Sequence, residues 1–196
     1  MIDKLILISG EDYNKEVIEY GLIVIRNGVI SVSIILLLGI LENRLLESII
    51  YVLCNFFIST KIGGYHARTQ IGCLILTIIT WKIALMHPEY WINCNTQFLI
   101  LLAGVCLILV WKNAPVLHPN KARFGEKITN RQRLESVGRL IAGYTVTFIF
   151  LKLNKQEYFG VMITSMIEII ISMLIGKAIY MKGMKETKET IVPKIL

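Results

Sequence analysis

The sequence predicts an all-α, polytopic membrane protein with six transmembrane helices. Three observations carry that prediction. Of 196 residues, 55% are hydrophobic and the mean hydropathy is +0.62, above the roughly 45–50% apolar content of soluble domains. The apolar residues come in blocks separated by short charged stretches. The basic residues fall unevenly between alternate connections.

The first twenty residues, "MIDKLILISGEDYNKEVIEY", carry charge throughout, and no small-residue cleavage site follows a hydrophobic region. They do not read as a signal peptide. One reading is an amphipathic surface helix with Leu5, Ile6 and Ile8 to one side and Lys4, Glu11 and Asp12 elsewhere. The other is a polar leader.

Six spans follow in one membrane domain, 1–196, without internal repeats. The first covers about 22–41 ("LIVIRNGVISVSIILLLGIL"), with Arg26 and Asn27 near its start. The second, about 45–60 ("LLESIIYVLCNFFIST"), is short beside the roughly 20 residues a span requires. The others cover about 71–87, 92–111, 137–153 and 159–180. Trp81, Trp91 and Trp111 fall near span ends, where interfacial aromatics are expected.

The formal charge is +7. In a membrane chain this is first a topology signal, so it does not call for a nucleic-acid partner. All the Lys and Arg except Arg44, Lys82, Lys152 and Lys155 lie in four places. These are the N-terminus through Arg26, the 61–70 loop, the 112–139 region and the C-terminal tail together with Lys177 at the end of the sixth span. Cytoplasmic termini put all four inside the cell membrane. The tail after Tyr180, "MKGMKETKETIVPKIL", reads as basic and flexible.

Four cysteines occur without a CxxC pair or metal-type spacing, so no disulfide framework is indicated. Cys54 and Cys106 lie in apolar runs and read as core, while Cys94 falls in a short outward loop. Cys73 differs. It closes "IGGYHARTQIGC", seven residues after His66, in a compartment that keeps thiols reduced. A cysteine nucleophile needs a base or cation to hold it as thiolate, and histidine supplies either. Peptide cleavage by that thiolate gives an acyl-thioester. The alternative is an ordinary buried cysteine beside a glycine turn, and residue chemistry alone favours it.

On one continuous helix, residues 66 and 73 would stand roughly 10.5 Å apart along the axis, too far for direct contact. Gly63 and Gly64 offer a break, and the chain is expected to bend back over the start of the third span. A zinc site lacks ligands: His87 falls at the opposite membrane face and His118 in the next cytoplasmic loop. No metal or cofactor is called for.

"GGYHA" followed at this distance by Cys73, in a six-span chain of about this length, resembles the accessory gene regulator B (AgrB) family. "APVLHPNK", Ala114 to Lys121, resembles a second segment of that family. The likeness covers most of the chain in layout and two short motifs in sequence. It implies a metal-independent membrane cysteine endopeptidase with Cys73 as nucleophile and His66 as general base and acid. Its substrate would be a small propeptide that loses its C-terminal tail. The enzyme-bound acyl group then passes to a side chain of the peptide, usually a cysteine, closing a thiolactone (or lactone) ring. The product is the precursor of a secreted quorum-sensing autoinducer of Gram-positive bacteria. The resemblance also implies a homodimer. One departure stands out: Ala122 and Arg123 follow Lys121, where the family often has Pro-Leu.

The loop "KNAPVLHPNKARFGEKITNRQR" carries Lys112, Lys121, Arg123, Lys127, Arg131 and Arg133 against the single acid Glu126. It reads either as an anchor on anionic lipid or as the dock for the acidic tail that propeptides of this family commonly carry. Glu168 lies within the sixth span, where ionisable side chains are costly. Pairing with Arg139 or Arg26, a helix-orienting contact and a protonated state are the readings, with a packing or polar contact preferred. Arg26 reads first as snorkelling to the membrane edge, with Arg26 or Asn27 as an alternative oxyanion donor. Asn55 and Gln70 stand as candidates to orient His66 or to serve the oxyanion. The rival from another class is a small transporter or peptide exporter, with Glu168 and Arg26 along its path and the His–Cys pair incidental. A non-catalytic membrane scaffold is the third.

Overall fold

The computed structural model describes residues 15–65, 67, 69–86, 90–91, 94–116 and 129–191. Among them are six long helices and no strand: α1 (Lys15–Leu41), α2 (Leu45–Ile62), α3 (Gln70–Met86), α4 (Thr96–Asn113), α5 (Asn130–Lys152) and α6 (Gln156–Ile191). The all-α expectation therefore holds. Residues 1–14, most of the expected N-terminal surface helix, lie outside the described residues.

Five of these helices are long and apolar enough to cross a bilayer. The third span expected from the sequence is not matched by length. Helix α3 is apolar but has 17 residues, about 25 Å of helix against a hydrocarbon core of roughly 30 Å. Large apolar side chains cover the outer faces, with Ile25 65%, Phe56 71% and Leu101 67% exposed. Such a surface suits lipid rather than water.

Local chemistry sets the helix boundaries. Helix α5 begins seven residues before the expected span because Thr129 and Gln132 form a reciprocal capping box. Asn95 starts α4 by accepting from the Gln97 N–H at 3.0 Å. The tight turns 42–44 and 153–155 share one device. Asn43 (φ 57°) and Asn154 (φ 58°) take the left-handed conformation that asparagine tolerates. The following N–H groups then reach back to close the preceding helix, Arg44 to the Gly39 carbonyl at 2.8 Å and Lys155 to that of Phe150 at 3.0 Å. Helix α6 runs on to Ile191, where a flexible tail was expected after Tyr180.

Helix α6 is the centre of the bundle. In the most apolar eighteen residues of its Gln156–Met181 stretch 67% are buried, against 11% in those of Gly21–Leu41 of α1. It touches α2, α3, α4 and α5. Gly143 of α5 permits one close approach, since a Cβ there would lie 2.8 Å from the Met166 Cε. The largest core cluster joins Cys54, Ile58, Ile62, Cys106, Val110, Leu140, Met166 and Met173. A second one joins Ile35, Tyr51, Trp81, Ala84, Leu85 and Val161.

Trp81 corrects an expectation. It is 1% exposed and donates to the Ser48 hydroxyl at 3.0 Å, so it is a core residue rather than an interfacial one. Its indole is buried because Ser48 satisfies the N–H. Trp91 is half-buried, bonded to Thr164, and Trp111 is exposed. Nearby, Arg44 donates to the Leu85 carbonyl and Lys82 pairs with Glu42, tying the α1–α2 turn to the end of α3.

At the opposite end, α2 is tied to the start of α5. Lys61 pairs with Glu135 at 2.6 Å, and Ser136 donates to the Lys61 carbonyl at 2.8 Å. Arg139 donates to the Phe57 carbonyl and the Thr60 hydroxyl, its guanidinium 5.0 Å from the Phe57 ring centre. This is the end at which the glycine loop stands.

Candidate active site

Helix α2 ends where Gly63 turns to φ 74°, a conformation glycine adopts freely. The Gly63 N–H still closes the helix on the Ser59 carbonyl at 2.8 Å. Helix α3 begins only at Gln70, so the chain from Ile62 to Cys73 is not one helix. Both Gly63 and Gly64 stand in that break.

The second motif lies against the first. The Val116 N–H donates to the Ile62 carbonyl at 2.9 Å, and the Val116 carbonyl occupies the space a Cβ on Gly63 would need. Ala114 and Pro115, joined by a cis peptide bond, are buried beside it. Two segments some fifty residues apart thus share one backbone contact at the mouth of the bundle.

Cys73 lies in the first turn of α3. Thr69 caps that helix, its hydroxyl accepting from Gly72 N–H at 3.1 Å and its carbonyl from Cys73 N–H at 3.1 Å. The cap folds the chain back on itself. A Cβ on Gly72 would stand 3.2 Å from that of Ala67, and the Ala67 backbone hydrogen-bonds the Cys73 side chain. The residue after His66 therefore touches the thiol. His66 itself, with Arg68, lies outside the described residues. The sulfur is half-buried in the first turn of the helix. No charged side chain among the described residues acts on it.

Lys121, Arg123 and Lys127, with His87 and His118, also lie outside the described residues. Arg131 and Arg133 are exposed on the first turn of α5, and Arg131 pairs with Glu135 at 3.2 Å. Glu135 thus meets both Lys61 and Arg131. Lys61, by hydrogen bond and charge, and then Arg131 hold its carboxyl below the usual carboxylate range. The count of one acid in the basic loop stopped short of it.

Other candidates are otherwise engaged. The Asn55 amide donates to the Tyr51 carbonyl at 3.1 Å. Gln70 and Arg26 are exposed. Glu168 pairs with neither Arg139 nor Arg26: its oxygens have no hydrogen-bond partner among the described residues, and Tyr51 and Cys54 stand beside it. Cys54 and Cys106 are buried, and all four thiols are free. Among the described residues, no three His, Cys, Asp or Glu gather as metal ligands would.

Residues 1–175 match the sequence model of the family described as Accessory gene regulator B. The chain belongs to the accessory gene regulator B family. It is 29% identical over 147 residues to AgrB-like protein 1 of Clostridium perfringens (strain 13 / Type A), covering 73% of this chain and 78% of that one. It is 26% identical to AgrB-like protein 2 of the same strain over 136 residues. An AgrB-like protein of strain SM101 / Type A is 25% identical over the same length. These last two alignments cover 66% of this chain and 64% of the relatives, under two thirds of their length. No solved structure matches the chain. Membership of the accessory gene regulator B family, with apolar helices of spanning length, makes this a membrane protein. It implies a processing role in the agr quorum-sensing system.

Proposed function

We propose that this chain is a membrane-embedded cysteine endopeptidase that removes the C-terminal tail of a small propeptide and passes the acyl group on to ring closure. The observation that carries the reading is the environment of Cys73. A thiol at a capped helix start is touched by the residue that follows His66, beneath a loop gripped by the second family-like segment.

In this reading His66 takes the thiol proton and the Cys73 sulfur attacks the scissile carbonyl. The new C–S bond forms as the C–N bond breaks, and His66 returns the proton to the leaving amine of the tail. The Cys73 N–H is already spent on Thr69, so the oxyanion takes its donor elsewhere. His66 then takes the proton of a side-chain thiol of the bound peptide, whose sulfur attacks the acyl-thioester. The new C–S bond closes the ring as the bond to Cys73 breaks, and the proton passes to the released Cys73 sulfur. A thioester and a thiolactone are similar in energy, so the transfer is nearly balanced, whereas hydrolysis would discard the activated bond. Keeping water away therefore governs the outcome, and the half-buried sulfur suits that need.

The basic connection before α5 supplies the dock for an acidic tail, with Lys121, Arg123, Lys127, Arg131 and Arg133 as its cations. Both termini and this connection face the cytoplasm, and the chain works as a homodimer. No metal or cofactor enters the reaction.

Mass spectrometry of the purified protein mixed with a candidate propeptide tests the reading. The expected result is a covalent adduct on Cys73 with release of the tail. Normal tail release by Cys73→Ser would refute it. Transport of labelled peptide into liposomes without cleavage would establish the exporter reading instead.

A further inference from the structure

The backbone of the Gly63–Tyr65 loop is bound by the central helix. The Tyr65 N–H stands 3.0 Å from both the carbonyl and the hydroxyl oxygen of Ser172. One helical turn on, a Cβ at Gly176 would lie 2.9 Å from the Gly64 carbonyl carbon and the Tyr65 nitrogen. A further turn on, the buried Tyr180 donates its hydroxyl to the Gly64 carbonyl at 3.4 Å. Positions 172, 176 and 180 share one face of α6, four residues apart.

The spacing has a physical cause. A helical side chain leans toward the N-terminus and covers the carbonyl four residues before it. Glycine at 176 leaves the Ser172 carbonyl open to a second donor, and the Tyr65 N–H takes it. Two acceptors then hold one amide, while Tyr180 holds the adjoining carbonyl.

We propose that Ser172, Gly176 and Tyr180 form a docking face that fixes the Gly64–Tyr65 backbone, and thereby sets Ala67, the sequence neighbour of His66, against Cys73. They are positioning residues, and the inference rests on the peptidase reading above. Gly176 and Tyr180 lie beyond the 1–175 region that matches the family. The face works through geometry alone, since none of the three reaches the thiol. A catalytic base displaced by 1 Å costs on the order of 100-fold in rate.

The test is single-turnover acylation of Cys73 by propeptide, followed by intact mass, beside propeptide affinity. Gly176→Val should slow acylation about 100-fold and leave affinity within about twofold. Ser172→Ala removes one of two acceptors and adds no bulk; it should slow acylation roughly fivefold. Ile175→Ala, on the exposed face, should change neither quantity. An unchanged rate in Ser172→Ala overturns the proposal even if Gly176→Val fails to fold. So does a parallel loss of rate and affinity in Ser172→Ala. Hydrogen exchange of peptides spanning Tyr65 separates this from the function itself. A wild type that forms no adduct refutes the peptidase reading. Unchanged exchange in both Gly176→Val and Ser172→Ala refutes the docking.

Discussion

Gly63 and Val116 meet backbone to backbone: the Val116 carbonyl fills the place of a Cβ on Gly63, and the Val116 N–H bonds the neighbouring Ile62 carbonyl at 2.9 Å. Both demands on Gly63 act together, since its φ of 74° is also unfavourable for any other residue. Gly63→Ala should therefore lower stability by about 2 kcal/mol or more. Thermal unfolding in detergent would show this as a reduced midpoint.

Gly64→Ala should be milder. The obstructing atom is the Ser172 hydroxyl, 2.8 Å from the added Cβ, and a side chain can rotate where a backbone cannot. Unfolding should shift less than for Gly63→Ala, and Ser172→Ala should restore part of the loss. Equal destabilisation by the two alanines would contradict the geometry.

Substitutions at the reacting pair should separate binding from chemistry. Cys73→Ala and His66→Ala should both bind propeptide with affinity near wild type and yield no acyl adduct. Adduct formation by either would show that the chemistry lies elsewhere. Calorimetry and intact-mass measurement on the same preparations answer both points.

Reversing the charge of the propeptide tail should weaken binding, and raised salt should narrow the difference between the two peptides. Arg131→Glu with Arg133→Glu should reduce the preference for the acidic tail. A tail charge without effect at low salt would reduce the basic connection to a lipid anchor.

Glu135 gives a pH dependence with a definite sign. Its carboxyl is held below the usual carboxylate range by Lys61 and then Arg131. Its stabilisation is full above the unfolded-state value and disappears as pH falls through the lower folded value. The Lys61 pair should therefore persist through the neutral range. Glu135→Gln should remove a loss of thermal stability seen only in strongly acidic solution. Because the pair is exposed, the effect at neutral pH should be small.

The all-α class and the family were legible because apolar blocks and the two motifs are local signals. Helix ends were less so: α5 gained its first turns from a Thr129–Gln132 box that hydropathy does not register. Trp81 read as interfacial because its position near a span end is visible, whereas its bond to Ser48, thirty-three residues away, is not. The break at Gly63 could be read from two glycines. The Ser172–Gly176–Tyr180 face could not, since its residues acquire meaning only from the loop lying on them. A small–xxx–small pair inside an apolar helix was the available signal.

The central position of α6 also fixes an order of events. It follows the other five long helices in the chain, so ribosomes deliver the glycine loop and Cys73 long before Ser172, Gly176 and Tyr180 exist. During synthesis the Tyr65 amide waits without these acceptors, and the loop seats only when α6 threads among its neighbours. A half-made chain therefore carries the thiol without its brace, and competence arrives with the completion of insertion.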